Sequence, residues 1–142
     1  SAAKLAPVVE ESFNVPAGVI HVEAEAFTKK SPVVAVFNCY TGGKQVNFFK
    51  SIVTSWVDYA VDVPQTGLYS MDVMIAAANH GQVLDISCGS QKLGTIKIPS
   101  TTGLWRRMDA VPIRLEKGLQ AIRISAPFQR GIAMRWFELK PK

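Results

Sequence analysis

Between Ser55 and Ile75 the chain keeps a strict period of two. Val57, Tyr59, Val61 and Val63 alternate with Asp58, Ala60 and Asp62, then Tyr69, Met71, Val73 and Ile75 resume the apolar phase. Such a period gives a strand one apolar and one polar face, and no helix can use it. Pro64-Gln65-Thr66-Gly67 separates the two runs with turn chemistry. The stretch therefore predicts two strands joined by a tight turn, read as a hairpin. One local rule fails. Alternation puts Trp56 on the face of Asp58 and Asp62. Either a bulge near the strand start turns the ring into the core, which is the expectation, or the ring stays at the surface.

The rest of the chain follows the same grammar. Alternating or short apolar runs at 20–24, 33–37, 46–49, 83–88, 93–98, 111–115, 120–125 and 132–139 are divided by Gly- and Pro-bearing turns. No window sustains a helical period. This predicts an all-β fold, a β-sandwich of the jelly-roll kind with about nine to ten short antiparallel strands. The 142 residues suit one domain with one core. Residues 1–18 read as a linker or edge segment and 19–142 as the sandwich. No apolar run reaches the roughly 18 residues of a membrane span. The chain opens on Ser1, which points to a processed chain or an excised module.

The net charge of +5 is unevenly placed. Residues 104–140 hold eight Lys and Arg against three acidic residues, while the remainder balances at eight against eight. Such asymmetry marks either an anionic partner or a solvated basic face. No nucleic-acid-binding motif accompanies it, so no nucleic-acid partner is expected.

Catalytic grammar is sparse. His21 and His80 are far apart, and neither a nucleophile elbow nor a phosphate-cradling loop is present. Cys39 and Cys88 lack metal-ligand spacing. Cys88 shares the phase of Leu84 and Ile86 and is expected in the core, while a Cys39–Cys88 disulfide stays open. Glu23 and Glu25, two apart on a strand, are roughly 6–7 Å from each other on one face. Two carboxylates so placed read as a shared hard-cation site, an acid and base pair, or a solvated face. The aromatic residues say more. Trp105 follows the polar loop 100–103 and precedes Arg106 and Arg107. Phe48 and Phe49 end a run entered through Gly42-Gly43, and they face opposite sides, so one is core and the other free. Loop-borne rings stack on the C–H faces of sugars or on bases.

In order, these pieces resemble carbohydrate-binding module family 6, with its relatives in family 35, over about residues 19–140. The pieces are Glu23-Ala24-Glu25-Ala26-Phe27, the segment Asn38 to Phe48 with its Gly42-Gly43 turn, and Trp56 to Tyr69 with Ser55 where the family has Asp. They continue with Leu93-Gly94-Thr95, Gly103-Leu104-Trp105, Gly118 to Ile124, and Ala133-Met134-Arg135-Trp136-Phe137-Glu138-Leu139.

The resemblance implies a non-catalytic module that holds an attached glycoside hydrolase or similar enzyme on polysaccharide. It implies export, to the medium, the cell surface or the periplasm, and a monomeric unit. By position, Phe48 and Trp105 would clamp a sugar at a loop edge, with Tyr40 a further contact and a second site on the concave sheet face. Arg106, Arg107 and Arg130 would meet carboxylates or sulfates of an acidic glycan. A ring that proves packed in would close the edge clamp. Glu23 and Glu25 would hold a structural calcium together with an acidic residue of the last strand. Two departures bear on this. Ala133 stands where the family has a sugar-binding Asn, and Arg135 stands at the acidic position, where a guanidinium would pair with a glutamate and replace the ion. The alternative reading is a degenerate module of the same fold, structural or docking, that binds no sugar.

Overall fold

The computed structural model describes residues 18–48, 53–108, 110–127 and 131–142. Apart from Gly18, the expected lead-in lies outside these. Among the described residues twelve strands run in chain order: β1 (Ile20–Glu23), β2 (Lys29–Lys30), β3 (Val34–Asn38), β4 (Lys44–Phe48), β5 (Ser55–Val63), β6 (Gly67–Ala77), β7 (Gln82–Cys88), β8 (Gln91–Ile98), β9 (Arg106–Arg107), β10 (Val111–Leu115), β11 (Gly118–Ala126) and β12 (Ile132–Pro141). Two are only residue pairs, β2 and β9, too short for periodicity to announce. No helix occurs among the described residues.

The strands form two sheets. A seven-stranded sheet runs β10-β6-β12-β4-β3, with β1 also on β12 and β9 also on β6. A five-stranded sheet runs β2-β5-β11-β7-β8. All recorded pairings are antiparallel. The two inner faces meet in one core that includes Tyr59, Met71, Ile75, Ile86, Ile122, Ile124 and Phe137. Tyr59 donates its hydroxyl hydrogen to the Ala24 carbonyl at 2.8 Å, which satisfies the polar end of a fully buried ring.

The stretch 55–75 departs from its reading as a hairpin. β5 belongs to the five-stranded sheet and β6 to the seven-stranded one. The turn between them is an arch that carries the chain across the sandwich. Both apolar phases face the same core from opposite sides, so the alternation is correct and the partnership is not. Tyr69 donates to the Gln65 carbonyl at 2.6 Å, and the Lys117 amide donates to Thr66 Oγ1 at 2.8 Å. The second bond ties this arch to the β10–β11 arch beside it.

Trp56 stays on the outer face, where β5 and β11 pair without a register shift. Arg123 lies 3.8 Å from its ring centroid and holds Asp58 in a fork at 2.7 and 3.0 Å. The cation covers the ring, so no bulge is needed to shelter it. Both cysteines are free thiols. Cys39 sits in the β3–β4 turn, while Cys88 is half-buried at the end of β7, beside Gln120.

Candidate functional site

At one end of the sandwich the loop 99–105 is sewn to the end of β6. The Thr101 and Gly103 amides donate to the Ala77 carbonyl at 2.7 and 3.3 Å, and Thr101 Oγ1 accepts from the Ala77 amide at 2.9 Å. Thr102 has φ of 52° and Gly103 has φ of 79°. A β-branched residue in the left-handed region is costly, and such outliers gather at functional loops. Trp105 leaves this loop half-buried, with its indole Nε1 buried and without a hydrogen-bond partner. β9 follows at once, with Arg106 opposite Ile75 and Arg107 opposite Met74. The strand period sends the two arginines to opposite faces.

Arg106, Lys97 and part of Arg107 line a groove of about 450 Å³ between the sheet edges. One wall is β8, with Thr95 and Lys97; the other is β9 and Val111 of β10, and Ser100 and Thr101 close its end. Among the described residues that line it, none is acidic; Asp109, between Met108 and β10, lies outside the described residues. Among the described residues neither Lys97 nor Arg106 forms an ion pair. The arrangement is an open concave strip that is basic among its described residues; Trp105 precedes Arg106 in sequence but is not one of the groove's lining residues.

Phe48 does not share this site as expected. It is 0% exposed and belongs to the core. Its register places it across from Ile132, and Ile132 across from Ala77, so all three lie on one inward row. Val46 and Phe48 share the buried phase of β4, so Phe48 is a core residue. Phe49 lies outside the described residues. The two-ring clamp of Phe48 and Trp105 is therefore not formed. Tyr40, at 79% exposed, caps the β3–β4 turn at the opposite end of β4. It is not brought to Trp105. Arg130 lies outside the described residues. Ala133 faces Asn47 on β4, whose Oδ1 accepts from Gln45 at 2.8 Å, so a side-chain amide stands across the ladder from the position where the resemblance implies one.

The outer face of the seven-stranded sheet is built differently. His21, Glu138 and Asp72 form one row across β1, β12 and β6. Glu23, Trp136, Met74 and Arg107 form the next row. His21 meets Glu23 at 2.5 Å through Nε2 and Glu138 at 2.7 Å through Nδ1. Arg107 donates to Asp72, and to Glu138 at 3.2 Å, while its guanidinium lies 4.6 Å from the Trp136 ring centroid. Burial raises the Glu138 carboxyl, but the bonds and charges of His21 and Arg107 outweigh it and hold it below the usual carboxylate range. Asp72 and Glu138 are buried, so these ion pairs answer a charge that would otherwise be costly. Arg107, expected at a glycan, is ion-paired on this face while part of it also lines the groove. Of these carboxylate oxygens only Asp72 Oδ1 is buried without a partner.

The implied calcium does not fit. β1 ends at Glu23, and Glu25 lies in the turn that follows, exposed. Glu23 Oε2 is engaged by His21, and Arg135 Nη2 stands 4.0 Å from Oε1. A divalent ion would have to share this carboxylate with a guanidinium. Among the described residues no group of three or more His, Cys, Asp or Glu side chains is placed to hold an ion.

Several residues of these sites were not singled out in the sequence. Lys97 alternates with Ile96 and Ile98 as any solvated strand residue does, and only the sheet edge opposite makes it part of a groove. Asp72 and Glu138 were readable as polar residues in the outward phase of central strands, but their common row depends on register.

A two-sheet antiparallel sandwich with a ring-bearing loop and a charged groove at its edge is the architecture of a binding module. The sequence profile of the family described as carbohydrate binding module (family 6) matches residues 23–141. The chain belongs to that family of non-catalytic carbohydrate-binding modules. It is similar in structure to the C-terminal family 6 module of LamC, a marine laminarinase from Zobellia galactanivorans. That match has 20% identity and a TM-score of 0.76, covering 86% of this chain and 98% of that one. A module of Cellvibrio mixtus lichenase 5A, in complex with cellotriose, shares 24% identity with a TM-score of 0.73, covering 87% and 97%. A family 35 module from Clostridium thermocellum shares 19% identity with a TM-score of 0.74, covering 89% and 100%. No curated protein sequence matches the chain.

Proposed function

We propose that this module anchors an appended glycoside hydrolase, or a similar exported enzyme, to polysaccharide, and that it prefers glycans bearing carboxylates or sulfates. The observation that carries the preference is the groove lined by Arg106 and Lys97, where neither is ion-paired among the described residues. A guanidinium binds a carboxylate or sulfate through a planar fork, and an ammonium adds a point charge. Among the rings of the expected clamp only Trp105 is left for stacking, because Phe48 is inside. Neutral sugars are then held weakly and acidic ones by charge. In support of an appended position, a Podospora anserina GH26-CBM35 mannanase contains a comparable unit in 28% of its chain, with 18% identity and a TM-score of 0.73. The outer face is the lesser candidate, since most of its polar groups already satisfy one another.

Affinity electrophoresis against neutral and acidic polysaccharides tests the reading. Retardation is expected on polyuronate or sulfated gels, weakening as salt rises. Retardation by acidic glycans that ignores salt would refute the charge-based version. A second reading has its own observation. The buried Phe48 and the missing amide at Ala133 both suit a degenerate module that serves as a structural or docking unit. It predicts no retardation on any gel.

A further inference from the structure

We propose that Arg135 is a built-in cation that does for this module what a bound divalent ion would do, so that its folding is independent of calcium. The inference stands apart from the sugar-binding reading.

β12 changes partners at this residue. Ile132 to Met134 pair with β4, and Trp136 to Leu139 pair with β1. Between Met134 and Trp136 the register with β6 shifts, so Arg135 is the extra residue of a bulge. Bulges re-aim side chains. Here the guanidinium enters the seam between the end of β1 and the β3–β4 turn. Nη1 donates to Thr41 Oγ1 at 2.8 Å, and Nη2 faces Glu23 Oε1 at 4.0 Å. The backbone joins in, since the Ala24 amide donates to the Arg135 carbonyl at 2.9 Å.

The turn is shaped to receive this group. Gly43 has φ of 71°, and a Cβ built there would lie 3.0 Å from Nη2. The conformation calls for glycine, and a side chain there would press on the Nη2 end of Arg135. Arg135 is also the most enclosed cation among the Lys and Arg ion pairs of the described residues, at 17% exposed against 41% for Arg123 and 45% for Arg107. The Cys39 thiol reports the same charge: burial raises it, but Thr41 and Arg135 bring it below its usual value. One fixed positive charge therefore links three segments, β1, the 39–43 turn and β12. Its presence opposes a divalent ion on the same carboxylate by like-charge repulsion.

Thermal unfolding tests this. The wild-type chain is expected to melt at the same Tm in EDTA and in excess CaCl2. Arg135→Ala is expected to lower Tm by roughly 5 °C in both. Thr41→Val is expected to cost less, and the double variant to melt no lower than Arg135→Ala, because one contact is shared. Arg135→Asp removes the charge and adds a carboxylate beside Glu23. It is expected to melt lowest in EDTA, and to recover saturably with CaCl2, with heat of Ca²⁺ binding in calorimetry. A saturable Ca²⁺-dependent rise of the wild-type Tm would overturn the proposal. So would additive losses for Thr41→Val and Arg135→Ala, or an Arg135→Asp variant indifferent to calcium. The wild-type comparison stands even where a variant fails to fold.

Discussion

Two regions of the seven-stranded sheet carry similar residues to opposite ends. On its outer face, His21, Arg107 and Arg135 each stand against a carboxylate. At its edge, Arg106 lines the groove with Lys97, hydroxyls, apolar side chains and part of Arg107, and it has no ion pair among the described residues. Adjacent in sequence, Arg106 and Arg107 belong to different economies of charge. A cation answered by buried acids holds strands together and has little left for a ligand. A cation left open in a groove costs nothing in water, and it gains a partner only when one arrives. Position within a basic stretch therefore says little about role, while the neighbours across the sheet say much.

The comparison can be broken or sharpened by substitution. The largest effect belongs to neither region. Phe48→Ala would remove a fully buried ring and is expected to cost about 3–5 kcal/mol in denaturant unfolding. The core role fails if stability holds and only glycan binding falls. Glu138→Ala breaks the answered region, leaving His21 and Arg107 facing one carboxylate fewer. The expected loss is about 3 kcal/mol by chemical denaturation. Acid should act on the same group. Because the folded Glu138 carboxyl lies below its usual range, its contribution is full above the ordinary glutamate value of about 4.3. It is lost as pH falls through the lower folded value, and Glu138→Gln should blunt that dependence in pH-scanned melts. Arg106→Ala is the smallest change in stability, within about 0.5 kcal/mol. Its effect should appear as lost retardation on acidic glycan gels, together with a flatter salt dependence. Equal retardation of variant and wild type would remove Arg106 from the site.

Much of the fold was legible. Alternation at Val57 to Val63 and at Tyr69 to Ile75 gave both strands and their inward faces, and the ordered Gly-bearing turns gave the all-β class. Alternation does not name a partner, however. β5 and β6 read as a hairpin because the signal for an apolar face is the same whether the next strand pairs beside it or lies across the core. Trp56 was expected inside because a large ring seeks shelter, and only the fold brings Arg123 over it. At the candidate site, Trp105 and its arginines stood out by loop context. The phase of Phe48 was undecidable from two adjacent phenylalanines. The departure at Arg135 was readable by position, but its Thr41 and Gly43 partners came from a bulge that no local pattern announces.

The arches also decide when the chain can become a sheet. Among the described residues only β3–β4 and β7–β8 pair strands that are neighbours in sequence. Every other ladder joins distant segments. β12 lies between β6 on one side and β1 and β4 on the other. Until Ile132–Pro141 has been synthesised, β1, β4 and β6 have no shared partner, and the larger sheet has no centre. Folding is then governed by loop closure over long separations, which places it in the slow range of milliseconds to seconds. During that interval, open strand edges are exposed to pairing with other chains. The last strand is the keystone of a module whose emerging chain must wait for it.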